Sequence, residues 1–307
     1  MNAIALPTTI EAYLDALRTA LSGADPALVQ DALYDAEEFL RSELAEQAGR
    51  SEAEVIAQVA SSYGAPDEVA AIYRDTEYKV RRAIDPPKAA PRRSWLGRFF
   101  GVAVDPRTYG AIFYLLLSLA TGIVYFTFVT TGLSLSAGLA VLIIGIPFFL
   151  LFLGLTRVLS LVEGRIVETM LGTRMPRRPL YSDRTVGWMD RIKEMLSDVR
   201  TWSTILYLFI MLPLGIVYFT LTVTGFSVAL AFIAAPLLYA AAGFGGYGYA
   251  LDMDGVQFGL LGLPPEIGLP LLFVAGVVLL FAMMHFARGI GHVHGAIAKS
   301  LLVRSGG

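Results

Sequence analysis

Three stretches of this chain, residues 109–156, 203–251 and 268–284, contain no Asp, Glu, Lys, Arg or His. A hydrocarbon layer about 30 Å thick takes about 20 apolar residues per helical crossing. Lipid offers nothing to an unpaired backbone group, so such runs must close their own hydrogen bonds as helices. Runs long enough to cross fall near 109–131, 136–156, 203–224 and 268–287, and a fifth, 226–243, is borderline in length and interrupted by Pro236. The composition agrees, with 55% hydrophobic and 16% charged residues against about 25% charged in an ordinary soluble domain. The expected fold class is all-α: a small cytoplasmic four-helix domain followed by a polytopic helical membrane domain. The latter has four spans plus one short segment, which is re-entrant or extends the third span at a bend.

The net charge of −2 is the remainder of three unlike regions. Residues 1–77 carry −11, residues 78–107 carry +6 and residues 108–307 carry +3. Segments 79–107, 157–200 and 288–307 together hold 20 Lys and Arg, while 131–136 and 244–267 hold none. The positive-inside rule therefore puts the three basic segments, and both termini, in the cytoplasm. Cysteine is absent, which removes disulfides, thiolate catalysis and cysteine metal sites. The first twenty residues include Glu11, Asp15 and Arg18 and lack the basic start and apolar run of a cleaved signal peptide.

Residues 1–80 read as an acidic helical domain. A first helix at about 9–22 spaces Ile10, Tyr13, Leu14, Leu17 and Leu21 helically and stops at Gly23. A second starts with Asp25 as cap and Pro26 at its first position and ends near Gly49,. Ser51 and Glu54 have capping-box spacing for a third, and Pro66 opens a fourth,. A −11 unit is repelled by phosphate, so no direct nucleic-acid contact is expected,. Its core is small for independent stability, so it should lean on its own membrane half, a second copy in a homo-oligomer, or a partner. Tyr13-Leu14-Asp15-Ala16-Leu17, Asp35-Ala36-Glu37-Glu38-Phe39, and Ser51 to Ile56 leading to Tyr63-Gly64-Ala65-Pro66-Asp67-Glu68-Val69-Ala70 together resemble the HAAS signalling domain. That resemblance implies a PadR-type helix-turn-helix regulator, or another cytoplasmic signalling protein, as partner. The plainer alternative is an acidic domain with only a tethering role.

Residues 81–107 form a basic, Pro-broken linker. Pro86, Pro87 and Pro91 prevent one continuous helix,. Arg92, Arg93 and Arg98 are candidate lipid contacts, each worth about 1 kcal/mol beside anionic lipid. Trp95, Phe99 and Phe100 supply an interfacial anchor,.

The body, divided into units at 108–187 and 188–307, reads as an internal duplication. At an offset of 93, residues 95–136 match 188–229 at 18 of 42 positions without a gap, and Gly122 to Thr127 falls on Gly215 to Thr220,. At an offset of 131, Val162-Glu163-Gly164-Arg165-Ile166 falls on Val293-His294-Gly295-Ala296-Ile297. Tyr114-Leu115, Gly122 to Tyr125, Gly145-Ile146-Pro147, Arg157, Glu163-Gly164-Arg165 and Leu171-Gly172 carry the resemblance in the first half. In the second half it rests on Thr201-Trp202, Leu212 to Gly215, Pro236 to Tyr239, Arg288-Gly289-Ile290 and His294-Gly295. Over residues 95–305 these resemble the duplicated sensor domain found before the kinase modules of bacterial histidine kinases. The resemblance implies a sensory role in a bacterial inner membrane. These 307 residues hold no phosphotransfer or ATP-binding region, so output is expected to pass through another molecule or the acidic head.

No nucleophile–base pair, metal cluster or phosphate loop is evident, so no enzyme activity and no cofactor are expected. Spans without ionisable residues disfavour a coupled transporter. His285, His292 and His294 sit at the last span's cytoplasmic end, where His is mostly a polar anchor. His294 lies about 200° around a helix from His292, which does not favour a metal site. Asp252 and Asp254, with Tyr249 and Phe258 nearby, lie in the external loop, as an Asx-type turn closed by Gly255 or as a sensing surface for a cation or basic peptide,. Segments 157–171 and 186–199 read as interfacial helices on the inner leaflet. On this inner face Arg165, Arg177, Arg178 and Arg191 could contact lipid or dock the acidic head. The function expected is a non-catalytic membrane sensor that signals through its head. An accessory or permease-like subunit of an exporter is the alternative.

Overall fold

The computed structural model describes residues 7–47, 49–84, 94–140, 145–177, 193, 196–244 and 265–303. Among them every regular element is helical.

Helices α1 (Ile10–Ala20), α2 (Pro26–Glu46), α3 (Glu52–Ser62) and α4 (Pro66–Ile84) form the head. Each begins where the sequence supplies an acceptor for otherwise unpaired N–H groups. Thr9 accepts from Ala12 N, Asp25 from Ala27 N, and Ser51 and Glu54 close a reciprocal capping box. Tyr13, Leu17, Leu21, Leu40, Ile56 and Val59 meet in the head's own core. Two tyrosines pin its helices together: Tyr13 Oη donates to Gly64 O at 2.8 Å and Tyr73 Oη to Asp35 Oδ2 at 2.8 Å. Burial pushes both phenols well above their ordinary range, so both remain donors at physiological pH,. Gly64 holds φ +115°, a conformation open mainly to glycine, at the turn where Tyr13 bonds,.

Helix α5 (Trp95–Phe100) and a 3₁₀ turn (Gly101–Val104) lead into α6 (Pro106–Leu139), which Asp105 caps. Helices α7 (Gly145–Leu171), α8 (Val199–Phe244) and α9 (Pro265–Leu302) complete the body. The structure has four helices, α6 to α9, long and apolar enough to cross a membrane. The short apolar segment 226–243 is neither a separate crossing nor re-entrant: α8 runs through it, with Pro213 and Pro236 inside the helix.

One expectation is overturned. Segment 157–171 is not an interfacial helix but the second half of α7, with Glu163, Gly164 and Val167 buried against the other helices. Charge at Arg157 ends the apolar run there without ending the helix; Gly172, at φ +70°, follows the last turn,. Most of 186–199 lies outside the described residues, although Val199 begins α8.

Helices α6 and α8 cross in backbone contact, through one glycine from each. A Cβ on Gly122 would lie 2.6 Å from Met211 O and 2.9 Å from Leu212 Cα, and one on Gly215 would overlap Ser118 O. Ser118 and Met211 are themselves 93 residues apart, so each glycine sits on the counterpart of what the other sits on. Small residues at such crossings let backbones touch where no hydrophobic effect drives association. Gly122→Ala and Gly215→Ala should each lower thermal stability in detergent by about 1–3 kcal/mol; unchanged melting would argue against this crossing.

Candidate functional site

Tyr114 and Tyr125 of α6, Glu163 of α7, Tyr207 and Tyr218 of α8 and His294 of α9 converge inside the body. Glu163 and His294 are both fully buried. Tyr114 Oη donates to Glu163 Oε1 at 2.7 Å and lies 2.5 Å from His294 Nε2. Tyr207 Oη repeats both contacts, at 2.9 Å and 3.0 Å. Two outer tyrosines take the remaining atoms: Tyr125 Oη donates to Glu163 Oε2 at 2.9 Å, and Tyr218 Oη lies 3.3 Å from His294 Nδ1.

The contacts come in pairs. Tyr114 and Tyr207 are 93 apart, as are Tyr125 and Tyr218, and Glu163 and His294 are 131 apart. Both inner tyrosines, Tyr114 and Tyr207, touch Glu163 and His294 alike; of the outer two, Tyr125 caps Glu163 and Tyr218 caps His294. A carboxylate removed from water must be held by donors, and three hydroxyls from two helices meet that need. The cluster therefore fastens all four body helices at one point.

A loop connects this cluster to the head. Gly164, next to Glu163, packs where its Cβ would lie 3.4 Å from Met175 Cβ, and Gly295, next to His294, packs against Thr173 Oγ1. Met175 is fully buried. Between these two anchors Arg174 turns toward the head. Its guanidinium meets Asp31 at 2.8 Å, Glu77 at 3.3 Å and Glu168 at 3.3 Å. The side chains of Arg174 and Asp31 are only 8% and 7% exposed. Arg177 N also donates to Asp31, at 2.6 Å. Around this centre Arg200 Nη1 donates to Gln30 Oε1 at 2.8 Å and Lys299 Nζ to Asp25 Oδ2 at 2.6 Å. Ala27 of α2 packs into the body's apolar core. The head thus rests on the body through the start of α2.

Of the residues singled out in the sequence, Arg177 is brought to this interface. Arg165 pairs with Glu168 and donates to Pro176 O at 3.1 Å, bracing the loop rather than contacting the head. Arg98 instead lines an open groove with Trp95, Phe99, Ala282 and His285, where His285 Nε2 donates to Phe99 O at 3.0 Å. Arg92, Arg93, Arg178, Arg191, Tyr249, Asp252, Asp254 and Phe258 lie outside the described residues. Sequence reasoning missed Arg174, Arg200 and Lys299. It also counted the spans as free of ionisable groups and His294 as an interfacial anchor. Both statements need correction, because α7 and α9 continue past their apolar runs and carry Glu163 and His294 into the core. The signal was available: those two residues and the four tyrosines occupy matching positions at the two offsets.

Residues 114–302 match the family described as "Putative sensor". The chain belongs to this sensor family. No curated protein and no solved structure matches it. The matched region contains all six residues of the cluster and the Arg174 loop, and leaves the head outside.

Removing one hydroxyl tests the cluster. Tyr114→Phe and Tyr207→Phe, each losing two contacts, should destabilise the body by about 1–3 kcal/mol. Tyr218→Phe, losing one longer contact, should cost less, with thermal unfolding as the measurement; equal effects would argue against the bridging geometry.

Proposed function

We propose that this protein is a non-catalytic sensor of the bacterial inner membrane that transmits its state by docking and releasing its own head. The observation that carries the reading is Arg174. It stands on a loop anchored beside both Glu163 and His294, and its charge is met by Asp31 and Glu77 of the head. A shift of α7 against α9 would move both anchors of this loop and so the guanidinium between them. A buried ion pair suits a two-state contact: a partner misplaced leaves an uncompensated charge, so the pair is either made or avoided.

The body is two copies of one unit, which accounts for the paired contacts at offsets of 93 and 131. The termini and the docking face lie in the cytoplasm, as the twenty basic residues on one side indicate,. The head is a HAAS-like module, and its released state engages a regulator of the helix-turn-helix class.

Arg174→Ala in the full-length protein should free the head. Amide exchange in α1 to α4 should rise, because losing one partner of such a pair costs about 3–5 kcal/mol. Lys299→Ala, whose pair is more exposed, should have a smaller, salt-sensitive effect,. Capture of a helix-turn-helix regulator from native membranes should increase with Arg174→Ala. Unchanged exchange in the head would overturn the docking mechanism, and a reporter showing an external C-terminus would overturn the orientation.

A further inference from the structure

Glu163 and His294 are joined through two hydroxyls that each touch both of them. Among the described residues no Lys or Arg pairs with Glu163. The groups facing the pair are Tyr114 and Tyr125 from α6 and Tyr207 and Tyr218 from α8. With Glu163 ionised and His294 neutral, this buried assembly carries one uncompensated negative charge. Burial without a counter-charge is what a site would relieve by taking up a single cation. Among the described residues no three carboxylate or histidine groups stand together as metal ligands. The cation that fits is a proton.

We propose that the Glu163–His294 cluster is a proton-binding site, holding one exchangeable proton within a network that accommodates either occupancy. In the empty form His294 Nε2–H donates to the inner tyrosine oxygens, Tyr114 and Tyr207 donate to Oε1, Tyr125 donates to Oε2, and Tyr218 donates to Nδ1. Every polar atom of Glu163 and His294 is then paired. In the filled form the added proton sits in one of two places. On Nδ1 it is donated to Tyr218 Oη, whose own hydrogen turns away, and the pair becomes carboxylate and imidazolium. On Glu163 Oε1 it is donated to Tyr114 Oη, while Tyr114 O–H donates to Nε2 and the ring hydrogen stands on Nδ1. The two filled forms interconvert by passing one hydrogen from Oε1 to Tyr114 and one from Tyr114 to Nε2, so no charge leaves the cluster. Hydroxyls suit this task because each can donate and accept.

The inference rests on the relay reading only for its consequence. Occupancy changes the charge between α7 and α9, the two helices that anchor the Arg174 loop. The test uses the full-length protein in lipid nanodiscs. His285→Asn and His292→Asn, both at exposed positions, leave His294 as the single histidine for ¹⁵N resonance. Spectra are recorded from mildly alkaline to mildly acidic pH, alongside the infrared band of protonated carboxyl groups. The expected result is uptake of one proton, seen as an imidazolium signature at His294 or as a protonated-carboxyl band that Glu163→Gln abolishes. In Glu163→Gln, proton uptake at His294 should weaken at least about tenfold, since the charge that attracts the proton is gone. Ring nitrogens and carboxyl band that both stay constant while the protein remains folded would overturn the site, as would an unaltered His294 titration in Glu163→Gln. Should that variant not fold, the His294 titration in the otherwise wild-type chain decides the question alone. Head docking is followed in the same samples by amide exchange of α2: proton uptake without any change in exchange supports the site and overturns the relay.

Discussion

A carboxylate withdrawn from water is the constraint around which this body is built. Glu163 has no counter-ion among the described residues, so its charge must be spread over hydrogen bonds from Tyr114, Tyr125 and Tyr207. Those donors come from two different helices and reach the same carboxyl group only if α6 and α8 cross closely. The crossing is close because Gly122 and Gly215 remove the side chains that would hold the backbones apart. His294 then closes the arrangement from α9. Electrostatic need and steric allowance thus specify one another. Apolar packing in lipid is weakly specific by comparison, since a lipid tail serves a leucine as well as another leucine does.

The same logic differs at the head. Asp31 and Arg174 are nearly as secluded as Glu163, but they form an ion pair instead of a hydrogen-bonded lone charge. In the proposed proton site, a lone charge wrapped in hydroxyls changes its protonation without dismantling its surroundings. An ion pair between separate units can only be made or broken. On the proposed reading the two kinds of buried charge divide the labour: one registers a change and the other reports it.

The sequence revealed the helices of the head because caps and glycines are local signals: Asp25 before Pro26, Ser51 with Glu54, and Gly64 at the turn all act within a few residues. It revealed four helices long and apolar enough to cross a membrane because apolar runs are also local. It misjudged 157–171 because a change of composition at Arg157 was taken for a change of structure, whereas only Gly172 provides a break in the backbone. The cluster was harder to see for a further reason. Its six members are spread from Tyr114 to His294, and each taken alone has an ordinary explanation as an interfacial aromatic or a boundary charge. Only their positions at the two offsets mark them as one set.

Those offsets also carry the one chemical difference that matters. Glu163 is answered 131 residues later by His294, while Tyr114 and Tyr125 are answered 93 residues later by the tyrosines Tyr207 and Tyr218. Two glutamates facing each other across shared hydroxyls would repel, and two histidines would have no fixed negative charge to neutralise. A glutamate opposite a histidine gives an acid and a base of opposite charge type within one bridging hydroxyl of each other. The surrounding tyrosines need no change, because a hydroxyl can donate to a carboxylate and accept from a ring N–H with the same oxygen. On the proposed two-copy reading of the body, one unlike pair at its centre keeps the paired tyrosine contacts of both copies while setting a carboxyl group opposite an imidazole ring.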